Sequence, residues 1–124
     1  MIRSCVRASP TVPRLVGRGG RAMGGGVRAT GGDLELAERL FSAVGVVVRL
    51  QEKRMNEVTA LSGSGPGYVF AFIEAMEEAA AEMGIDRGMA RKMAVETVRG
   101  AAELAAETGE DPAELRRRVS SMGG

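Results

Sequence analysis

The 124-residue sequence contains no histidine and no tryptophan, and it has a single cysteine, Cys5. Without histidine, the chain lacks the most common general acid or base and the most common metal ligand. A lone cysteine forms neither an internal disulfide nor a thiolate zinc site, which favours a reduced, intracellular setting. We therefore expect no metal site, and we expect any chemistry to use hydroxyls, carboxylates, backbone amides or a separately held cofactor.

Aromatic residues make up only 3% of the chain, although 44% of it is hydrophobic. Alanine, methionine and valine supply most of the apolar side chains, which favours packed helices over a β-sandwich. No stretch approaches the roughly 18 to 20 consecutive apolar residues that a membrane span requires. The composition therefore predicts a small helical domain with no membrane partner.

Acidic residues are absent before Asp33, whereas the same segment holds six arginines. Residues 1–32 also contain Pro10, Pro13 and glycine clusters such as GRGGR, so we predict an irregular linker segment followed by a helical domain at 33–124. A mitochondrial or plastid transit peptide is an alternative for this segment, but its prolines and glycines break any amphipathic helix. One GRGGR motif is weak as an RNA contact. We expect a cytoplasmic protein, with an organelle as the alternative, and no nucleic-acid partner.

Helical periodicity covers most of the chain after residue 32. Candidate helix starts with a capping residue or a first-turn proline lie at Asp33, Pro66, Asp86 and Asp111, and the helical period also returns at Glu52. The short β-branched run VVVRL at 46–50 predicts a single strand. The helix that begins near Pro66 is apolar on almost every side at its start, so we expect a second copy of the chain to cover it.

The stretch LSGSGPGYVF at 61–70 resembles a phosphate-binding loop at first sight. A dinucleotide fingerprint needs a strand before its glycines and a third glycine where this chain has Tyr68, and the lysine of a phosphate-binding P-loop is missing. We predict instead a corner between two helices, with glycines at backbone angles that other residues avoid. Carboxylate binding by amides and hydroxyls at the following helix start stays open. The predicted corner residues are Ser62, Gly63, Ser64, Gly65 and Pro66.

Longer stretches carry a specific resemblance. AVGVVVRLQEKRMNEVTALSGSGPGYVFAFIEAMEEAAAEMGI and ETVRGAAELAAETGEDPAELRRRVSS resemble the C-terminal dimerisation domain of pyrroline-5-carboxylate reductase, and VTALSGSGPGY is the most specific part. VRASPTVPRLVGRGG is similar to the segment that leaves the nucleotide domain of that enzyme. The resemblance implies an all-α dimerisation fold of the 6-phosphogluconate dehydrogenase C-terminal type.

The same resemblance implies a function in proline biosynthesis. The enzyme reduces 1-pyrroline-5-carboxylate to L-proline with NADPH or NADH, and its C-terminal domain intertwines with a second copy. By position, Thr59 matches the hydroxyl near the imine nitrogen, as the catalytic residue. Ser121, Gly123 and Gly124 match the loop that binds the substrate carboxylate.

Departures from the family pattern raise a second hypothesis. The sequence before residue 33 shows no strand, GxGxxG motif and helix in succession, and Met122 replaces a proline of the carboxylate loop. We therefore expect a fragment, an incomplete gene model or a relic, which binds no cofactor by itself and is inactive alone. The alternative function is a non-catalytic helical oligomerisation module derived from the enzyme.

Overall fold

The computed structural model describes residues 4–9, 17 and 19–120. Contacts divide the chain into two units, one up to Phe70 and the other from Ala71 onwards. The sequence predicted a linker segment at 1–32 and a helical domain at 33–124, which is a different division, and it stays a prediction.

The first unit contains a three-stranded sheet. Strand β1 (Val6–Ala8) pairs antiparallel with the central strand β2 (Gly20–Gly25), which pairs in parallel with β3 (Val46–Arg49). Parallel neighbours need a crossover connection, and helix α1 (Gly31–Ser42) supplies it. The sequence predicted only the third of these strands.

Strand β2 corrects the prediction that residues 1–32 are irregular. Its side chains Ala22 and Met23 are fully buried, and Gly20 to Met23 are in register with Val46 to Arg49. Glycine clusters usually mark loops, but the partner strand here lies more than twenty residues away in sequence. Long-range pairing with a β-branched strand therefore overrides the local signal.

Gly45 allows the start of β3 to lie close to the backbone of Gly19, just before β2. Its φ angle is +142°, and a Cβ atom there would lie 2.4 Å from the carbonyl oxygen of Gly19. The Val46 amide donates a hydrogen bond to that same oxygen at 3.0 Å. Only glycine satisfies both the backbone angle and this close approach.

Helix α1 begins earlier than predicted, with Thr30 as its N-cap. Asp33, predicted as the cap, is instead the third helical residue and accepts hydrogen bonds from the Thr30 amide and hydroxyl at 2.9 and 2.8 Å. The two residues form a reciprocal capping box, which a search for the first acidic residue misses. These hydrogen bonds hold the pKa of Asp33 below its ordinary value.

A buried arginine fastens β2 to the end of α1. Arg21 is only 4% exposed, and its guanidinium donates to the carbonyl oxygens of Phe41 and Val44 at 3.4 Å each. The guanidinium carbon also lies 5.6 Å from the centre of the Phe41 ring. The negative end of the α1 helix dipole stabilises a cation at this place.

The predicted helix from Glu52 is a continuous path of three helical types. A 3₁₀ turn spans Glu52–Arg54, helix α2 spans Met55–Val58, and a π-helical turn spans Thr59–Gly63. Helix α3 follows at Gly65–Glu82 and runs from the first unit into the second.

Two further helices belong to the second unit: α4 (Arg87–Thr108) and α5 (Pro112–Val119). Both predicted caps are confirmed, since the Asp86 carboxylate accepts from the Met89 amide and the Asp111 carboxylate from the Ala113 amide. Gly109 ends α4 in the left-handed conformation, at φ +65°.

Helices α3 and α4 are joined by a bidentate ion pair. Arg91 donates through Nε and a terminal nitrogen to the two carboxylate oxygens of Glu77, at 2.9 Å each. The hydrogen bond from Arg91 lowers the pKa of Glu77. Ala90 and Ala94, on the same side of α4, are 2% and 3% exposed.

Candidate functional site

The π-helical turn at Thr59–Gly63 positions the predicted catalytic residue. Its wider coil is closed by a hydrogen bond from the Ser64 amide to the Thr59 carbonyl oxygen, at 2.9 Å. Single π turns inside helices are rare and occur frequently at functional sites. Thr59 itself is exposed, whereas Met55, one turn earlier, is 1% exposed and anchors the segment.

The Thr59 hydroxyl has a backbone partner. Its Oγ1 atom lies 2.7 Å from the Met55 carbonyl oxygen, and it donates its proton there. This is the local bond that a threonine makes in an ordinary helix, and it can be exchanged for a bond to a ligand. The assignment of Thr59 as the catalytic residue stays a prediction.

Ser9 joins this site from strand β1's end. Its Oγ atom lies 3.5 Å from Thr59 Oγ1, although fifty residues separate the two in sequence. The Ser9 amide donates to the Ala22 carbonyl oxygen at 3.0 Å, which fixes the backbone of Ser9 against β2. We call Ser9 and Thr59 the hydroxyl pair. No local sequence signal identifies Ser9, because only the sheet pairing brings it here.

Gly63 leaves room for the hydroxyl pair. A Cβ atom at this position would lie 3.0 Å from Thr59 Cγ2 and 3.6 Å from Ser9 Oγ. The first distance is tighter than an ordinary contact, so a side chain here would displace the Thr59 methyl group. The absence of a side chain at Gly63 therefore keeps space beside the hydroxyl pair.

The predicted helix corner is shorter than expected. Ser62 and Gly63 lie in the π-helical turn, Gly65 and Pro66 begin α3, and only Ser64 lies between the two helices. The prediction that these glycines adopt unusual backbone angles is wrong: the described glycines with positive φ are Gly17, Gly19, Gly45, Gly84 and Gly109. The connection between the π-helical turn and α3 is short, because α3 begins one residue after Ser64.

The predicted carboxylate-binding residues Ser121, Gly123 and Gly124 lie outside the described residues. Their assignment stays a prediction.

The described residues do not offer a dinucleotide fold at the glycine cluster. A π-helical turn, rather than a strand, precedes Gly65 and helix α3. A dinucleotide phosphate site needs a strand, a glycine loop and a helix in succession, so this glycine cluster is not a phosphate loop of that type. Within residues 4–9, 17 and 19–120, there is no group of three or more potential metal ligands. No helix in these ranges is long and apolar enough to cross a membrane.

Comparison with known families decides what this arrangement is. Residues 52–124 match the family described as "Pyrroline-5-carboxylate reductase dimerisation". The chain belongs to this family. The match includes the hydroxyl of Thr59, the π-helical turn and all of helices α3 to α5.

Curated relatives extend the likeness upstream. A pyrroline-5-carboxylate reductase of Synechocystis is 43% identical over 119 residues, which are 96% of this chain and 45% of the relative. One of Methanosarcina acetivorans is 44% identical and covers 96% of this chain and 44% of its own length. The chain thus spans less than half the length of these relatives, and the aligned part includes most of the strand-containing first segment.

Solved structures of pyrroline-5-carboxylate reductases share the fold of this chain. The Coxiella burnetii reductase superposes with a TM-score of 0.90 at 37% identity, covering 98% of this chain and 45% of that one. The Plasmodium falciparum reductase, solved with NADP bound, gives a TM-score of 0.89 at 28% identity and covers 98% of this chain and 49% of that one. The predicted helical dimerisation fold is confirmed, with a three-stranded sheet in place of one strand.

Proposed function

We propose that this chain is part of an enzyme that reduces 1-pyrroline-5-carboxylate to L-proline with NADPH or NADH. Family membership and the names of the relatives support this activity. The observation that carries the proposal is the exposed residue Thr59, whose hydroxyl lies in a π-helical turn within the family's most specific sequence stretch.

We assign Thr59 to the ring nitrogen of the substrate. Reduction of the imine adds hydride to carbon and a proton to nitrogen, so the site must accommodate a nitrogen whose charge changes. A hydroxyl suits this task because it can donate to a neutral imine and accept from a protonated one. The bond to Met55, at 2.7 Å, holds the hydroxyl ready until a ligand replaces that partner.

We assign the substrate carboxylate to Ser121, Gly123 and Gly124. Backbone amides and a serine hydroxyl are good donors to an anion, and two anchoring points fix the orientation of a small ring. This assignment rests on the position of these residues in the sequence match.

A nicotinamide cofactor supplies the hydride, and we assign none of the described residues to holding it. Our proposal is that the chain alone binds no cofactor and is inactive alone. A cytoplasmic location, with mitochondrion or plastid as the alternative, belongs to the same proposal.

We propose that two or more copies of the chain associate through α3. The first turns of this helix leave large apolar side chains exposed, by 65% for Tyr68, 58% for Phe70 and 60% for Phe72. Apolar patches of this kind mark interaction surfaces, and the family is described by its dimerisation. A single-copy state would leave these side chains in water.

Two proteins test the catalytic proposal. The first is the 124-residue chain, mixed with NADPH and 1-pyrroline-5-carboxylate while nicotinamide absorbance is followed; we expect no turnover. The second is a chimera in which the chain replaces the matching 119 residues of the Synechocystis relative; we expect turnover from it. A folded chimera without activity would favour the non-catalytic oligomerisation module.

Substitutions in the chimera test Thr59 itself. Thr59→Val keeps the shape of the side chain and removes the hydroxyl, and we expect kcat/KM to fall by about 10- to 100-fold, the usual worth of a hydrogen bond to a charged group. Thr59→Ser keeps the hydroxyl and should retain most activity. Thr97→Val is the matched control, because the Thr97 hydroxyl makes the same bond one turn back, to Met93 at 2.8 Å. Equal losses at Thr59 and Thr97 would contradict the assignment.

A further inference from the structure

The direction of the hydrogen bonds around Thr59 follows from the atoms involved. The Met55 carbonyl oxygen can only accept, so at 2.7 Å the Thr59 hydroxyl must be the donor. A hydroxyl has one proton, which is then no longer available to Ser9. In the contact of 3.5 Å between Ser9 Oγ and Thr59 Oγ1, Ser9 is therefore the donor.

We propose that Ser9 is a positioning residue that acts through Thr59, an inference that rests on the proposed function. Ser9 donates to one lone pair of Thr59 Oγ1 and so fixes the position of that oxygen, whose second lone pair accepts from a protonated ring nitrogen such as that of L-proline. Thr59 keeps donating to the Met55 carbonyl oxygen in this state, so the bond from Ser9 orients the hydroxyl and transfers no proton. Each proton stays on its own oxygen throughout.

The surroundings of Ser9 suit this role. Its backbone is fixed by the amide bond to Ala22, at 3.0 Å, and its side chain is half-buried. The distance of 3.5 Å is longer than an ordinary O–H···O bond of about 2.5–3.0 Å. A movement of Thr59 by a few tenths of an ångström toward Ser9 closes this bond, and Gly63 leaves the space beside both side chains.

Two ring-shaped probes separate positioning from a merely structural role. L-proline carries a ring nitrogen, whereas cyclopentanecarboxylate has the same size and carboxylate without it. The full 124-residue chain is titrated with each probe, and binding is followed by NMR through the methyl signals of position 59. We expect Ser9→Ala to weaken L-proline binding by about three- to tenfold and to leave cyclopentanecarboxylate unaffected.

A double-mutant cycle tests whether Ser9 acts through Thr59. We expect Ser9→Ala combined with Thr59→Val to bind L-proline no more weakly than Thr59→Val alone. Ser9→Thr, which keeps a hydroxyl, should restore binding. Ser42→Ala is the serine control, because Ser42 is exposed at the end of α1. Melting curves of all variants establish that they are folded.

The outcomes distinguish this inference from the proposed function. If Thr59→Val weakens L-proline binding but Ser9→Ala does not, or if the two losses simply add, Ser9 has no positioning role and the proposed function stands. Equal weakening of both probes by Ser9→Ala would show a structural effect and would also overturn the inference. If Thr59→Val binds L-proline as the parent chain does, the substrate role of Thr59 fails, and that of Ser9 fails with it.

Discussion

Replacing Phe72 by aspartate should separate the proposed oligomer into single chains. The Phe72 side chain is 60% exposed in α3, and an aromatic side chain offers about 200 Å² for burial, so about 120 Å² is available to a partner. At about 25 cal/mol per Å², covering it contributes about 3 kcal/mol per copy. A symmetric dimer uses the same patch twice, which doubles this value.

Only part of that free energy appears as affinity, because association also costs translational freedom and side-chain entropy. We therefore expect the dissociation constant of the Phe72→Asp variant to rise by at least about a hundredfold, which corresponds to about 3 kcal/mol. The carboxylate adds a desolvation penalty that an alanine would not.

Sedimentation velocity over a concentration series measures this effect, with circular dichroism to verify that the helices remain. Val27→Asp is the control, since Val27 is also an exposed apolar residue but lies between β2 and α1. The reasoning is refuted if the unmodified chain sediments as a monomer at all concentrations, or if Phe72→Asp and Val27→Asp associate equally well.

Two further substitutions test smaller features. Gly63→Ala should change stability by less than about 1 kcal/mol, because helix propensity offsets crowding of the Thr59 methyl group, yet it should weaken L-proline binding in NMR titrations. Gly67→Ala is the control and should leave binding unchanged, because a Cβ atom there meets nothing within 4 Å. Equal effects of the two substitutions on binding would contradict the steric role of Gly63. Because capping by Thr30 lowers the pKa of Asp33 below 3.8, its stabilisation should be present above that pH and disappear as pH falls through the lowered value. Melting temperatures of the parent and Asp33→Asn chains should begin to converge as the pH falls below 3.8, and a constant difference would exclude this linkage.

Local signals predicted the helical part of the fold well. Asp86 and Asp111 cap α4 and α5 where the capping pattern places them, and Gly109 ends α4 in the left-handed conformation. Capping bonds join residues two or three positions apart, so the information lies within one turn. The N-cap of α1 was misplaced from Thr30 to Asp33 because a capping box offers two suitable residues.

Most of the sheet was not predicted, because strand pairing joins residues that are distant in sequence. Strand β2 is rich in glycine and has weak intrinsic preference for a strand, and its partner β3 follows only after a whole helix. Strand pairing of this kind is decided by burial of Ala22 and Met23 and by the close approach at Gly45. Neither contact is visible in a local window of sequence.

The sequence alone determined the family and the starts of α4 and α5, because these depend on residue identity and on spacing within a few turns. Through the family resemblance it also gave Thr59 as the candidate hydroxyl. Tertiary structure decided which residues surround that hydroxyl. It brought Ser9 to 3.5 Å from Thr59 across fifty residues, and it gave Gly63 a steric role that its backbone angles do not reveal. Contacts between distant segments depend on the summed packing of sheet and helices, so they emerge only when the chain is folded.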